Sequence, residues 1–402
     1  MRATLLHHVH QLTDDLPAYV YDLPGLREHV RTIRAALPQR VQLLYAAKAN
    51  SDPRVLQVLA EHVDGFEVAS GGEIRHVRGL FPGAPIAFGG PGKTPAELTQ
   101  ALDAGVERLH IESEHELRTL TTVLGDRIAD VLLRVNVPVT IRPVALAMGG
   151  GPSPFGLDPS QLGRCLDIIA ADGRIRLHGL HAHLASGLDA RAHLALVDQI
   201  MSWADRWAHQ RGIPLTEVNI GGGMGVDYAD PRDVFDWPAF GIGLRRTLER
   251  HPDLTLRIEP GRSVTAYCGW YVTQVLDIKF SRGEAFAVLR GGTHHLRTPA
   301  AKQHDQPFEV VPDDSWHQPW TRPEARDEPV TLVGQLCTPK DVLARRAMVD
   351  RLRVGDRIAF AMAGAYAWNI SHHEFLMHPH PTFHHIDDAD APIADTHAVQ
   401  TA

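Results

Sequence analysis

The chain has 402 residues, 44% hydrophobic and 22% charged, a globular composition with more material than one compact core holds, so two domains are expected. Forty basic against 48 acidic residues give a formal charge of −8, which argues against nucleic acid or an anionic membrane as partner. Three widely spaced cysteines, Cys165, Cys268 and Cys337, argue against a disulfide framework and fit a cytoplasmic location, and neither a signal-peptide core nor a run of about 18 apolar residues is found.

In chain order, Ala18–Asp22 is a short β-like run expected to join a C-terminal β domain. Eight candidate strands follow: Val41–Ala47, Val63–Ser70, Pro85–Gly89, Glu107–Glu112, Val131–Val137, Arg176–His183, Thr216–Gly221 and Leu254–Glu259. Helical patterns lie between them. Leu26, Val30, Ile33 and Leu37 form one apolar stripe. Asp52-Pro53 reads as an N-cap with proline at the first helical position, and Thr94–Glu97 and Ser113–Glu116 each match a capping box. Asp158-Pro159 opens a stripe through Leu162, Cys165, Leu166 and Ile169.

Eight strand–helix units predict an α/β fold, a (β/α)8 TIM barrel over residues 24–265, with an open doubly wound sheet as competitor. After residue 265 the pattern turns to β: Val264–Lys279, Ala285–Leu289, Pro329–Gln335 and Arg357–Ala361. Residues 1–23 and 266–402 are therefore assigned to a β-sandwich or β-barrel domain. Gln303–Asp327 reads as a long loop, and the polar tail beyond Pro379 as disordered.

Barrel chemistry sits at the C-terminal ends of the strands. Lys48, just past the first strand, projects into the barrel mouth, where partial burial lowers its pKa; taken alone it reads sooner as a surface lysine capping a strand. His181 and His183, two apart, suit zinc, ring stacking or plain packing, and no further zinc ligand is evident at a strand end, so no metal is expected. Gly221, Gly222 and Gly223 let backbone N–H groups close on a phosphate. Glu259 suits a ring nitrogen that must stay protonated, or an ordinary pair with an arginine. The histidines at 7, 8 and 10 and from 372 to 385 are placed in loops or tails. Trp203 and Trp207, i and i+4, read as packing, and Cys165 as buried and inert.

Seven motifs carry a resemblance that runs from Ala18 to about Pro379: YAAKAN at 45–50, EVASGGE at 67–73, HAHLASG at 181–187, GGG at 221–223, EPGR at 259–262, Cys337, and GAYAWN at 364–369. Together they resemble the fold-type III pyridoxal-5′-phosphate (PLP) decarboxylases, the ornithine and diaminopimelate decarboxylases, with alanine racemase more distant. The resemblance implies a Schiff-base lysine at Lys48, a ring-stacking His183, and phosphate contacts from Ser186, Gly221–Gly223, Gly261, Arg262 and Tyr366. It also implies Glu259 at the ring nitrogen, Cys337 as the acid that reprotonates the α-carbon across a homodimer interface, and active sites shared between subunits.

Departures bear on substrate. Thr338 stands where the family often carries an acidic residue for a distal ammonium, and Lys340 brings the opposite charge. Ala185, Pro154 and Glu67 replace a glycine, a basic residue and an aspartate of the family pattern. His294, His295 and Arg297 lie where the family recognises carboxylates, with Thr338, Lys340 and Asp341 as further substrate-side candidates. GGTHHLR and GQLCTPKD are similar to a branch that serves citrate-based siderophore synthesis by decarboxylating a citryl–diamino acid. The alternatives are a diaminopimelate or basic amino-acid decarboxylase, a racemase, and a non-catalytic PLP-binding or antizyme-type protein.

Overall fold

The computed structural model describes residues 3–12, 16–140 and 146–387. Contacts divide the chain into two units, Glu28–Asp227 with Arg232–Val264, and Met1–Arg27 with Tyr228–Pro231 and Thr265–Ala402. Strand β1, Ala18–Asp22, belongs to the second unit.

The first unit is a closed, all-parallel barrel of β2 (Val41–Ala46), β3 (Gly65–Val68), β4 (Ile86–Phe88), β5 (Arg108–Ile111), β6 (Ala129–Arg134), β7 (Ile175–His181), β8 (Glu217–Asn219) and β9 (Thr255–Ile258), in that order. All eight expected strands are present, and pairing of β9 with β2 closes the ring and excludes the open sheet. Near-continuous apolar runs such as Val131–Leu133 suit strands covered on both faces. The helix starts follow from their caps. Asp52 accepts from Arg54 and Val55 N–H, and Thr94 and Glu97 complete a capping box. At Ser113 the hydroxyl caps Glu116, but the Glu116 carboxylate takes the N–H of Glu112 and the Lys93 ammonium, so the expected reciprocal box is only half made.

Ion pairs plug the N-terminal end of the barrel. Arg257, 2% exposed, meets Glu217 at 2.9 Å and Glu107 at 2.8 Å, and Arg108 adds a second contact to Glu217. Buried charge is tolerated only when paired in this way. Gly179 sits where β7 slips register against β6, and a Cβ there would lie 1.8 Å from the Glu217 carbonyl oxygen. Gly179→Ala is therefore expected to destabilise the chain by about 3 kcal/mol or more, measured by urea unfolding, because neither backbone can yield without opening the ring.

The second unit holds an eight-stranded sheet. Its strands are β1, β10 (Gly269–Ser281), β11 (Glu284–Leu289), β12 (Phe308–Val311), β13 (Glu324–Val333), β14 (Val342–Arg353), β15 (Arg357–Phe360) and β16 (Thr382–Ile386). β1 lies between β10, antiparallel, and β16, parallel. Its crossing into this unit is the one expected for Ala18–Asp22.

Several expectations are corrected here. Residues Arg262–Thr265 are helical and Ala266–Cys268 form a 3-10 turn, so the strand expected from Val264 begins at Gly269; a short buried apolar run does not reveal its period. The Gln303–Asp327 loop contains β12 and the start of β13, and β14 was missed. The histidines at 7, 8 and 10 lie on the helix Ala3–Gln11, and the tail beyond Pro379 contributes β16; residues 388–402 lie outside the described residues.

Candidate active site

The strand ends of the barrel converge on one group of side chains. Past β2 the 3-10 turn Ala47–Ala49 carries Lys48, whose side chain is 43% exposed. Its Nζ is nonetheless committed: it donates to the two carboxylate oxygens of Glu67 at 2.5 and 2.7 Å. Glu67 is the third residue of β3 and is buried. Burial pushes its carboxyl above the usual carboxylate range, against the pull of the Lys48 ammonium.

Glu259 follows β9 and is 8% exposed. Asn219, the last residue of β8, donates its side-chain amide to Glu259 Oε1 at 2.6 Å and accepts the Gly221 N–H on its carbonyl oxygen at 2.9 Å. One amide thus fixes the carboxylate and the first glycine of the triplet. His181 Nε2 lies 3.3 Å from Glu259 Oε2, and His110 Nδ1 lies 3.8 Å from Oε1. The His110 and His181 rings meet at 4.2 Å between centroids, tilted by 30°. The Glu–arginine pair weighed from sequence is not what forms, since Arg257 turns to Glu217 and Glu107.

His183 Nδ1 accepts the Gly222 N–H at 3.2 Å, which places its own proton on Nε2. Burial pushes His110, His181 and His183 well below the ordinary imidazole value, so all three are neutral near pH 7. The triplet must be glycine. Gly221 has φ +70° and Gly223 φ +100°, and Cβ atoms on the three would meet His183 at 2.5 Å, the Glu259 oxygen at 2.5 Å and the Ala185 oxygen at 2.3 Å. Ser186 lies on the two-residue ladder with Leu146–Ala147, and after β9 Gly261 precedes the short helix that Arg262 opens. Arg134, at the end of β6, is held by Glu112 at 2.7 Å with its guanidinium over the Phe155 ring. Glu112 also accepts the N–H groups of Gly90 and Gly156.

Lys48, His183, Gly221–Gly223 and Glu259 are therefore gathered at one end of one barrel, as expected. His110, Asn219 and the Lys48–Glu67 pair were not anticipated, although each sits at a strand end and the same rule reaches them.

The remaining candidates belong to the other unit. Cys337, Arg297 and Lys340 are exposed, and Thr338 is half-buried. His294 and His295 are buried, with ring centroids 3.9 Å apart and planes tilted by 44°. Burial pushes them down to about 4 and about 3, so both are neutral. His295 Nδ1 faces the Tyr271 hydroxyl at 3.0 Å. Asp341 is buried and turned to its own loop. It accepts the Thr293 N–H at 2.6 Å, the Thr293 hydroxyl at 2.8 Å and the Leu336 N–H at 2.8 Å. Tyr366 is half-buried with φ +48°, and its carbonyl accepts the Thr298 hydroxyl.

Comparison with known proteins adds four findings. Residues 23–266 match the family model described as pyridoxal-dependent decarboxylase, pyridoxal binding domain. The 2-[(L-alanin-3-ylcarbamoyl)methyl]-2-hydroxybutanedioate decarboxylase of Staphylococcus aureus is 42% identical over 371 residues, 91% of this chain and 92% of that protein. The diaminopimelate decarboxylase of Bacteroides thetaiotaomicron is 31% identical over 87% of this chain and 90% of that protein. Among solved structures, diaminopimelate decarboxylase from Helicobacter pylori complexed with L-lysine superposes with a TM-score of 0.81 at 25% identity, covering 95% of this chain and 94% of that one. Among the described residues no helix is long and apolar enough to cross a membrane.

Proposed function

The chain belongs to the pyridoxal-dependent decarboxylases and is a PLP-dependent carboxy-lyase, and on that premise we propose that its substrate is a citryl–diamino acid, decarboxylated on the way to a carboxylate siderophore. The name of the Staphylococcus aureus relative describes such a molecule: a citrate unit joined by an amide to the side-chain nitrogen of L-2,3-diaminopropionate.

One observation carries the choice over a diamine-type substrate. An ornithine- or lysine-like molecule has a distal ammonium that needs a carboxylate. The residue after Cys337 is Thr338, and the carboxylate that follows, Asp341, has both oxygens engaged by Thr293 and Leu336. What the loops offer instead is the Arg297 guanidinium, the Lys340 ammonium and the neutral imidazoles of His294 and His295, a donor set for carboxylates.

The chemistry of the barrel end fits PLP. Bare glycine backbone at 221–223, with Ser186, Gly261 and Arg262, would hold the phosphate. His183 offers a neutral, flat ring to stack on the pyridine. Glu259 would take the ring N–H on a lone pair left over from Asn219. When bound, the cofactor supplies the electron sink that makes loss of CO2 from an α-carbon feasible.

The chain's own residues do the rest. Glu67 draws the proton from the Lys48 ammonium, leaving a nucleophilic amine; its raised carboxyl value makes it a stronger base than an exposed carboxylate. Asn219 holds the Glu259 carboxylate in place and aims it. Cys337, supplied across a homodimer, returns a proton to the carbon that lost CO2, and the enzyme works in the cytoplasm.

The test is CO2 release by the purified enzyme. The citryl conjugate of L-2,3-diaminopropionate should give a kcat/KM at least about 100-fold above ornithine, lysine or diaminopimelate, the discrimination expected where a charged end is matched or left unpaired. Equal values would overturn the assignment and favour a diaminopimelate or basic amino-acid decarboxylase.

A further inference from the structure

We propose that His110, His181 and Glu259 form a divalent transition-metal site of the Zn2+ type, and that metal and cofactor exclude one another there. The three residues stand at the ends of β5, β7 and β9, and one ligand atom from each lies within 4.8 Å of the others. His181 Nε2 lies 3.3 Å from Oε2 of Glu259 and His110 Nδ1 lies 3.8 Å from Oε1, so each imidazole faces its own carboxylate oxygen at close to the spacing of about 3.4 Å between ligands around a tetrahedral ion with bonds of about 2.0–2.1 Å. Two neutral imidazoles and a carboxylate are a common donor set for Zn2+, and Co2+, Ni2+ and Cu2+ accept the same atoms.

The stronger argument is what the rings lack. His110 and His181 are 0% and 3% exposed, yet neither nitrogen of either ring has a hydrogen-bond partner. Four unsatisfied buried nitrogens in one pair of touching rings are uncommon, because each forfeits its hydration without replacement. A bound cation would satisfy one nitrogen on each ring. The nearby cations do not fill this role: Lys93 is tied to Glu116 at 2.7 Å and Arg134 to Glu112 at 2.7 Å.

The exclusivity rests on the reading of Glu259 as the partner of the ring nitrogen, since a carboxylate drawn onto a dication cannot also hold the cofactor's N–H. The metal site itself does not depend on that reading.

The full chain, stripped of cofactor, is titrated with Co2+ and followed by its ligand-field absorbance, with Zn2+ by calorimetry. One equivalent is expected to bind. His110→Asn, an amide of similar size, should weaken binding by about tenfold or more, and so should His181→Asn, with thermal unfolding confirming that each variant is folded. Zn2+ added beforehand should slow recovery of the visible absorbance of the reloaded wild-type enzyme, in proportion to occupancy. Absence of binding, binding unaffected in both variants, or reloading with the metal retained would overturn the proposal. A chain that binds metal as stated but develops no visible band in metal-free buffer supports the metal site and refutes the cofactor reading instead.

Discussion

Lys48→Ala should eliminate the visible absorbance of the purified enzyme and lower kcat for CO2 release by at least about 10³-fold, the scale seen when a covalent nucleophile is removed. The amine of Lys48 is already held at the barrel mouth, and its partner Glu67 is buried and aimed at it from the adjacent strand. Without the ammonium, Glu67 faces burial alone, which raises its carboxyl further and leaves it neutral rather than as an unpaired charge. The variant should therefore fold, and its melting temperature should stay close to that of the wild type. This separates loss of chemistry from loss of structure. An alanine variant that keeps the band and a tenth of the activity would remove Lys48 from the mechanism.

Glu259→Gln is the second large effect. Glutamine preserves shape and the contact with Asn219 but removes the charge that would keep a ring nitrogen protonated. The expected loss is about 10²–10³-fold in kcat with little change in KM, as for other preorganised electrostatic groups whose interaction grows toward the transition state. Asn219→Ala should cost less, about tenfold, because the carboxylate remains but its aim and the Gly221 anchor are lost. A glutamine variant whose defect lies in KM alone would make Glu259 a binding residue rather than an electrostatic one.

The barrel was legible because parallel strands covered on both faces are continuous apolar runs, and Val41–Ala46 or Ala129–Arg134 stand out between capped helices. The sheet of the second unit was less so. β14 reads VLARRAMVDRLR, with arginines interrupting any alternation and register shifts in its pairing with β13, so neither period holds for long. At the site, the strand-end rule found Lys48, His183 and Glu259 because each lies in a motif. It passed over His110 and Asn219, which are single residues within ordinary-looking strands. Periodicity says which residues leave a strand at its mouth. Which of them meet depends on closure of the ring, and that brings β5, β7 and β9 together across it. The reach of Glu67 to Lys48 is of the same kind, a contact between neighbouring strands.

The position of β1 between β10 and β16 has a consequence for biosynthesis. The strand is translated ahead of the whole barrel, yet its antiparallel neighbour begins at Gly269 and its parallel one only at Thr382. At about 5–20 residues per second, the roughly 120 residues between the end of the barrel and β16 take some 6–24 s to translate. Through that interval the nascent chain carries an apolar Ala-Tyr-Val-Tyr edge with an open hydrogen-bonding side, the kind of surface that holdase chaperones bind.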